Sequence, residues 1–315
     1  MVQIRVLVNA LRYVLDQAID YAGMYPPASL SLSESLKSYQ RHRSGAEAWM
    51  VKRIVLPVDA LSKIYAGSFE SGSEFRFAVI PRRAPSDWLV SLRTDLAILN
   101  GFLGKHLVAV ADVLEILLPD DVSSVEAMGR LLRSVEKDLA DRGAFFEVPG
   151  GSEFLERFEK AAKAIAGFSR HNWGLKLRTG GTTADMYPPP SVVAHALVIA
   201  REQGVPLKFT AGLHHPIRHW NKRVGTRMYG FINILMAGLL AHHHGLSAER
   251  VEPILEDEEA SNFSFTEQTA DWRDLALPVE AIPRWRERVV SFGSCSVDEP
   301  REDLEQLGWW VGETP

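Results

Sequence analysis

The stretch that decides the fold is "GLKLRTGG" at 174–181, where a short apolar alternation carries Lys176 and then opens into a glycine turn. A second stretch, "PLKFTAGLHHP" at 206–216, repeats this pattern with Lys208. Each pattern predicts a β-strand that ends at a glycine turn. Six other apolar runs complete a set of eight predicted strands. Their bounds are Gln17–Gly23, Met50–Val58, Phe75–Arg82, Leu107–Leu117, Ala144–Pro149, Gly174–Gly180, Pro206–Gly212 and Arg288–Ser294.

Helix-length segments separate most of these runs. The segment "SVEAMGRLLRSVEKDLADRG" at 124–143 opens with the Ser and Glu of a capping pattern and ends at a glycine. Alternating strands and helices predict a parallel sheet, and eight such units close into a (β/α)8 TIM barrel. The alternative is an open doubly wound sheet, but no G-x-G-x-x-G follows the first strand. We therefore predict an α/β fold with a single TIM-barrel domain over 1–315.

The interval between the seventh and eighth predicted strands is longer than one helix requires. We expect a long helix from about Arg218 to His244, and after it an insertion at 246–286 that consists of a hairpin and a helix. Aromatic residues in a polar segment usually find a partner surface. The insertion is therefore expected to cover part of the barrel or to contact a second subunit of a homo-oligomer. Its aromatic residues are Phe263, Phe265, Trp272 and Trp285.

Composition narrows the class of protein. The net charge of −5 and the pI near 6.1 argue against a nucleic-acid surface, which is usually basic. The longest apolar run, 229–241, is too short to span a bilayer, and the N-terminus predicts an amphipathic helix rather than a signal peptide. A single cysteine, Cys295, suits a reducing compartment. We therefore expect a cytoplasmic protein whose partner is a small molecule.

The candidate chemistry lies at the carboxyl ends of the strands, where TIM barrels carry their active sites. Residues two apart in a strand share a face, so Lys176 and Arg178 point the same way. If they point into the mouth with Lys208, the like charges and burial are expected to lower a lysine pKa. A neutral lysine is a nucleophile that forms Schiff bases with carbonyl compounds. The predicted catalytic residues are Lys176, Lys208, Glu115, Glu147 and Asp20.

Five short motifs resemble those of deoxyribose-phosphate aldolase and its class I aldolase relatives. Strand 6 of that family reads roughly I-K-T-S-T-G, and this chain has "LKLRTGG"; strand 7 reads V-K-x-x-G-G-I-R, and this chain has "LKFTAGLHH". The family's phosphate turn F-G-x-S-S corresponds to "SFGSCS", and its first strand I-D-H-T corresponds to "IDYAG". Its strand 5 pattern K-V-x-x-E corresponds to "FFEVPGG". The motifs follow the family's order from Ile19 to Ser296.

The resemblance implies a role for each matching residue. Lys176 would form the imine, Lys208 would perturb its pKa, and the family's proton-relay aspartate would fall at Glu115 or Asp112. The implied substrate is a small anionic carbonyl compound, either a sugar phosphate or an oxo-acid, with no cofactor. Arg178 and the sequence "LHHP" depart from the family pattern and make deoxyribose phosphate a poor fit. The predicted substrate-binding residues are Arg178, Thr179, Gly180, Gly212, His214, His215, Gly293 and Ser294.

Two other functions fit the same residues. A metal-dependent barrel enzyme could use His214 and His215 together with Glu147 or Asp20, although no H-x-H or H-E-x-x-H spacing is present. A non-catalytic barrel that binds a metabolite would keep the fold without the chemistry, and fold alone does not separate these functions.

Overall fold

The structure is a computed structural model that describes residues 10–65, 74–83, 87–120, 124–139 and 142–310. Its centre is a closed barrel of eight parallel strands. In chain order the barrel strands are β1 (Ile19–Tyr21), β2 (Val51–Pro57), β3 (Phe75–Ile80), β4 (Ala109–Leu117), β5 (Gly143–Glu147), β6 (Trp173–Arg178), β7 (Leu207–Thr210) and β13 (Val289–Ser294). Each strand overlaps one predicted strand, so the TIM-barrel prediction is confirmed, and no open sheet forms.

Helices alternate with the strands. They are α1 (Ala10–Leu15), α2 (Leu32–Ser44), α3 (Trp88–Leu103), α4 (Val125–Leu139), α5 (Phe154–Ala166), α6 (Pro190–Glu202), α7 (Phe231–His244), α8 (Ala248–Glu256), α9 (Ile282–Arg286) and α10 (Asp298–Gln306). A capping box fixes the start of α2: the Ser31 hydroxyl accepts from the Glu34 N–H, and the Glu34 carboxylate accepts from the Ser31 N–H. No helix among the described residues combines the length and apolar character that a membrane span requires.

The barrel interior is filled by side chains of the strands. An inner apolar cluster, formed by Val55, Ala78, Val113 and Phe145, lies inside the barrel. Gly174 lies against Phe145, and a Cβ at Gly174 would come within 2.7 Å of that ring and 2.5 Å of the Pro206 carbonyl oxygen. The glycine that opens "GLKLRTGG" is therefore required by close packing between β6 and its neighbours.

The prediction of one long helix from about Arg218 to His244 is wrong for the first third of that range. That part forms a hairpin of β8 (His219–Asn221) and β9 (Thr226–Met228), and only the remainder forms α7. The physical reason is turn chemistry: the Asn221 side chain accepts from the backbone N–H groups of Arg223 and Val224 at 3.0 and 3.1 Å. We call 219–228 the mouth hairpin, because its residues line the cavity described below.

The segment 246–286 contains α8, a small antiparallel sheet and α9. The sheet has three strands, β10 (Phe263–Phe265), β11 (Thr269–Trp272) and β12 (Leu275–Pro278), where a two-stranded hairpin was expected. The small sheet and α8 both pack on the outside of the barrel. The Ala10 N–H at the start of α1 donates to the Thr266 carbonyl between β10 and β11 at 2.7 Å, and α8 packs against α6 and α7. The mouth is covered by the mouth hairpin instead, and contact with a second subunit stays a prediction.

Candidate active site

The barrel strands bring the five predicted catalytic side chains together. Glu147, Lys176 and Lys208 are neighbours in register on β5, β6 and β7. Glu115 on β4, which pairs with β5, and Asp20 on β1, two strands from β7, complete the group. All five are buried. Because parallel strands expose their carboxyl ends at the same rim, residues far apart in sequence meet there.

These side chains belong to a longer series of alternating charges, which we call the charge row. It runs from the mouth toward the barrel interior, and each member contacts the next. Its members, in order, are Arg178, Glu147, Lys176, Glu115, Lys208, Asp20, Arg53 and Asp112. With four cations and four anions, the row is neutral when every member is ionised.

The outer half of the charge row surrounds Lys176. The Arg178 Nε donates to Glu147 Oε1 at 3.1 Å, and Glu147 Oε2 lies 2.9 Å from the Lys176 Nζ. The same Nζ lies 2.8 Å from Glu115 Oε2, while the other oxygen of Glu115 lies 2.7 Å from the Lys208 Nζ. One carboxylate is therefore shared by both lysines.

The inner half of the charge row surrounds Asp20. Lys208 donates to Asp20 Oδ2, and the Ser291 hydroxyl donates to the same oxygen at 2.6 Å. Arg53 lies 3.4 Å from the other oxygen and donates through its Nε to Asp112 at 2.9 Å. Burial alone would raise the pKa of Asp20, but Lys208 and Arg53 outweigh burial and lower it to about 2. Asp20 therefore stays ionised throughout the neutral range.

The expectation that Lys176 has a lowered pKa is wrong. Burial alone would lower its pKa, but the carboxylates of Glu115 and Glu147 outweigh burial and raise it. The sequence suggested that Lys208 would be the dominant neighbour, whereas two carboxylates lie closer to the ammonium. Lys176 is consequently a cation at neutral pH, and it must transfer a proton before it can act as a nucleophile.

A cavity of about 420 Å³ opens above the charge row. Its polar wall includes Glu115, Lys176, Arg178 and Lys208. A second part of the lining, which we call the apolar wall, comes from the loops after β1 and β6 and from the mouth hairpin. It includes Tyr25, Pro26, Pro27, Met186, Tyr187, Val224 and Met228, and the mouth hairpin also adds Asn221 and Arg223 to the lining.

A repeated motif builds the apolar wall. "AGMYPPAS" at 22–29 follows β1, and "ADMYPPPS" at 184–191 follows β6, so the pattern A-x-M-Y-P-P-x-S occurs twice. The tyrosines of both copies, Tyr25 and Tyr187, line the cavity. The repeat is a signal in the sequence that reasoning from strand motifs missed.

The predicted substrate-binding residues fall into two groups. Arg178, Gly212, His214, His215 and Gly293 line the cavity, whereas Thr179, Gly180 and Ser294 are not part of its lining.

The residues outside the lining serve the surrounding loops. Thr179 donates its hydroxyl to the Ala211 carbonyl at 2.7 Å, and Ser294 donates to the Ser296 carbonyl at 2.7 Å. Cβ atoms at Gly180 and Gly212 would come within 2.6 and 2.9 Å of the Tyr187 ring. Both glycines therefore leave space for that tyrosine.

The histidines of "LHHP" do not assemble with the carboxylates of the charge row. His215 Nδ1 lies 2.6 Å from Asp303, and His214 Nδ1 lies 3.6 Å from both Cys295 Sγ and Glu299. Burial alone would lower the pKa of His214, but hydrogen bonds with Cys295 and Glu299 outweigh it and raise the pKa to about 9. Among the described residues, the one group of three or more side chains close enough to share a metal ion does not include His214 or His215, so the structure does not bring together the proposed metal centre.

Within the part of the chain that the structure describes, a cluster with metal-ligand residue types lies at another place, on α2 and α10. His42 Nδ1 is 2.6 Å from Glu47, and its Nε2 is 3.8 Å from Asp298. The Arg41 guanidinium lies 2.7 Å from the same Asp298 oxygen and 3.1 Å from His42 Nε2. A cation is thus already supplied by the protein, and we assign no metal to this cluster.

Besides the two tyrosines of the repeated motif, Arg53, Ser291 and Arg223 escaped the sequence analysis. Arg53 lies in the middle of a predicted strand, and Ser291 is the first residue of the predicted phosphate turn "SFGSCS". A charged residue inside an apolar strand was the available signal for Arg53. Arg223, in the turn of the mouth hairpin, lines the cavity and was hidden by the incorrect helix prediction.

Comparisons with known proteins give remote similarities only. No family model matches the sequence, and no curated protein matches it. Among solved structures, the chain is similar to a Toxoplasma gondii ME49 protein assigned as a deoxyribose-phosphate aldolase. The two share 10% sequence identity with a TM-score of 0.40, and the match covers 97% of this chain and 96% of that one. It is also similar to an archaeal fructose-1,6-bisphosphate aldolase whose catalytic lysine is covalently bound to the carbinolamine intermediate of its substrate, with 11% identity, a TM-score of 0.37, and coverage of 89% and 98%. The remote resemblance to aldolases indicated by the motifs thus recurs among solved structures, at a level that carries no argument about function.

Proposed function

We propose that the protein is a class I aldolase-like lyase that forms a Schiff base between Lys176 and a small anionic carbonyl compound. The observation that carries the proposal is the position of Lys176: its ammonium lies between two buried carboxylates and lines a cavity that also contains Arg178. Buried ion pairs contribute little net stability, so stability alone is a weak reason for this arrangement.

The two carboxylates provide the proton transfer that the reaction needs. Lys176 reacts as a neutral amine, and Glu147 or Glu115 can accept the ammonium proton at 2.9 or 2.8 Å. The iminium that forms carries the same positive charge as the ammonium. Both carboxylates therefore remain paired with a cation after the Schiff base has formed, and the iminium can accept the electron pair of a breaking C–C bond.

The anionic group of the substrate is recognised by cations beside Lys176. Arg178 contributes one guanidinium that reaches the cavity and is partly exposed. His214, with its raised pKa, contributes a second cation. Arg223 contributes a third from the mouth hairpin, and no carboxylate among the described residues pairs with its side chain. Guanidinium groups bind carboxylates through paired hydrogen bonds.

The walls of the cavity favour an oxo-acid over a sugar phosphate. The apolar wall contributes Tyr, Pro, Met and Val side chains, which suit an apolar substrate body, while Thr182, Thr210 and Asn221 add polar groups to the lining. The turn "SFGSCS" leads into α10, whose first turn carries Asp298 and Glu299. Carboxylates at a helix start disfavour a phosphate there. The proposed substrate is therefore a small oxo-acid with an apolar substituent.

Reductive trapping tests this function. The protein is incubated with cyanoborohydride and, separately, with pyruvate, 2-oxohexanoate, propanal or glyceraldehyde 3-phosphate, and adducts are measured by intact mass. We expect the fastest adduct with 2-oxohexanoate, because it supplies both the carboxylate and an apolar chain. Preferential trapping of glyceraldehyde 3-phosphate would overturn the substrate class. No adduct with any of the four would overturn the lyase itself and favour the metabolite-binding barrel.

A further inference from the structure

One hydroxyl group at the cavity has no hydrogen-bond partner. Tyr25, in the loop after β1, lines the cavity, and its ring packs against the inner apolar cluster. Its hydroxyl oxygen is shielded from water and contacts no hydrogen-bond partner among the described residues. Buried polar groups in folded proteins are nearly always paired, so an exception at a candidate active site requires an explanation.

An acceptor at the same cavity is also incompletely paired. Glu115 Oε1 receives no aligned hydrogen bond, although the Lys208 Nζ lies 2.7 Å away as an ion-pair partner. Burial and the nearby Glu115 carboxylate raise the pKa of Tyr25, so the phenol keeps its proton and is a donor. An unpaired donor and an acceptor with free capacity thus belong to residues that line the same cavity as Lys176.

The second copy of the A-x-M-Y-P-P-x-S motif provides an internal comparison. Its tyrosine, Tyr187, lines the same cavity, but its hydroxyl donates to the Gly181 carbonyl at 3.2 Å. The motif therefore does not by itself leave a tyrosine unpaired. The open hydroxyl is specific to Tyr25, the tyrosine close enough to Glu115 for that carboxylate to affect its pKa.

We propose that Tyr25 donates a proton to the oxygen of the carbinolamine that forms on Lys176. The carbinolamine hydroxyl in turn donates a hydrogen bond to Glu115 Oε1. This inference rests on the proposed function. A hydroxyl is both acceptor and donor, so the carbinolamine hydroxyl can accept from Tyr25 and donate to Glu115 at the same time. Once the lysine nitrogen has attacked the substrate carbonyl carbon, that carbon carries both the nitrogen and the carbinolamine hydroxyl.

The proton balance closes within the site. Glu147 takes one proton from the Lys176 ammonium, and the neutral nitrogen then attacks the carbonyl carbon as its C=O double bond opens. The nitrogen loses a second proton to Glu115, and the oxygen gains one from Tyr25. Glu115 then returns its proton to Tyr25, which donates it to the hydroxyl as the C–O bond breaks and water leaves. Glu147 finally returns its proton to Tyr25, so two of the three ammonium protons end in water and one stays on the iminium.

The test compares Tyr25→Phe with the wild type and with Tyr39→Phe. Tyr39 is a buried tyrosine outside the cavity whose hydroxyl donates to the Lys52 carbonyl, so it controls for removal of a phenol oxygen. The readouts are the rate and the final yield of the adduct trapped with 2-oxohexanoate, and stability in urea. We expect Tyr25→Phe to slow adduct formation by about 10²-fold with an unchanged final yield, since a positioned acid contributes about that factor. Its stability should not fall, because the removed hydroxyl has no partner.

Each outcome has a distinct meaning. If the wild type is labelled and Tyr25→Phe is labelled at the same rate, the role of Tyr25 alone is overturned. If the wild type is not labelled, the proposed function and the role of Tyr25 are both overturned. A stability loss equal to that of Tyr39→Phe would indicate a structural role and contradict the proposal. Incorporation of 3-fluorotyrosine at position 25 keeps the hydroxyl and should retain most of the wild-type rate; a rate as low as that of Tyr25→Phe would assign the effect to ring packing and contradict the proposal.

Discussion

Lys176 and Lys208 are paired in register on neighbouring strands, and both contact Glu115, yet their environments differ. Lys208 is held by Asp20, which Arg53 and Ser291 also contact on the inner side of the barrel. Lys176 faces two glutamates, one of which reaches Arg178. Both lysines line the cavity, but Lys208 is held by a network of buried groups, whereas Lys176 contacts a carboxylate that also pairs with the partly exposed Arg178.

Under the proposed function, Lys176 reacts although its pKa is raised rather than lowered. In the charge row each member contacts a group of opposite charge, and these contacts outweigh burial for Asp20, Glu115, Glu147 and Lys176. Reactivity then depends on the arrival of a carbonyl compound and on proton transfer to an adjacent carboxylate. We therefore assign the chemical role to Lys176 and a structural, charge-positioning role to Lys208.

Removing the Asp20 carboxylate, which holds Lys208, should have the largest effect, as a loss of folding stability. Asp20→Asn leaves Lys208 and Arg53 buried without their common carboxylate, which we expect to destabilise the protein by about 3–5 kcal/mol. Asp138→Asn removes a surface partner of Arg93 and should cost no more than about 1 kcal/mol. Urea unfolding of both variants measures the difference. Equal and small losses would contradict the network of buried groups that holds Lys208.

Asp20→Asn should also change how the stability of the protein depends on pH under acidic conditions. The pKa of Asp20 is lowered from 3.8 to about 2 in the folded state, so its stabilisation is full above the unfolded pKa and is lost as pH falls toward 2. The size of this contribution is roughly 2 kcal/mol. Asp20→Asn should lose stability less steeply than the wild type between pH 4 and 2, and an unchanged slope would contradict the assignment.

Removing the arginine on the Lys176 side should affect substrate capture rather than folding. Arg178→Met deletes a guanidinium that we expect to bind the substrate carboxylate, a charged hydrogen bond of about 1.5–3 kcal/mol. The 2-oxohexanoate concentration for half-maximal trapping should rise about 10- to 100-fold, while trapping of propanal changes little. Arg93→Met, on the outer helix α3, is the matched control. Equal losses for the oxo-acid and the neutral aldehyde would show that Arg178 does not recognise the carboxylate.

The smallest expected effect is a shift in pH dependence. The trapping rate of the wild type should rise with pH toward the raised pKa of Lys176, because only the neutral amine reacts. Glu147→Gln removes one of the two carboxylates that raise this pKa, so the profile should move to lower pH. Glu159→Gln, whose partner is Lys163 on the surface of α5, should leave it in place. A shift of the Glu147→Gln profile to higher pH would contradict the electrostatic account of Lys176.

The sequence allowed the barrel and most of the row to be predicted for a simple reason. Strand periodicity and strand order place Lys176, Lys208, Glu115, Glu147 and Asp20 at one rim once the barrel closes. The hairpin at 219–228 was missed because its turn depends on the Asn221 side chain within an otherwise helix-like segment. Turn chemistry of this kind overrides periodicity.

The direction of the Lys176 pKa could not be predicted in the same way. It depends on whether a lysine or a carboxylate lies closer to the ammonium, and differences of an ångström between side chains are not encoded in spacing along the chain. Glu115 contacts both lysines because of the stagger of the barrel strands. The unpaired hydroxyl of Tyr25 likewise emerges only when packing shows which donors lack acceptors.

Peptide mapping of the reduced adduct shows which of the two neighbouring lysines carries the chemistry. The wild type, Lys176→Met and Lys208→Met are treated with 2-oxohexanoate and cyanoborohydride, digested, and analysed by mass spectrometry. We expect an adduct on the peptide that contains Lys176 in the wild type, the same site in folded Lys208→Met, and no adduct in Lys176→Met. An adduct on Lys208, or one that persists in Lys176→Met at the wild-type rate, would contradict the assignment of the chemistry to Lys176.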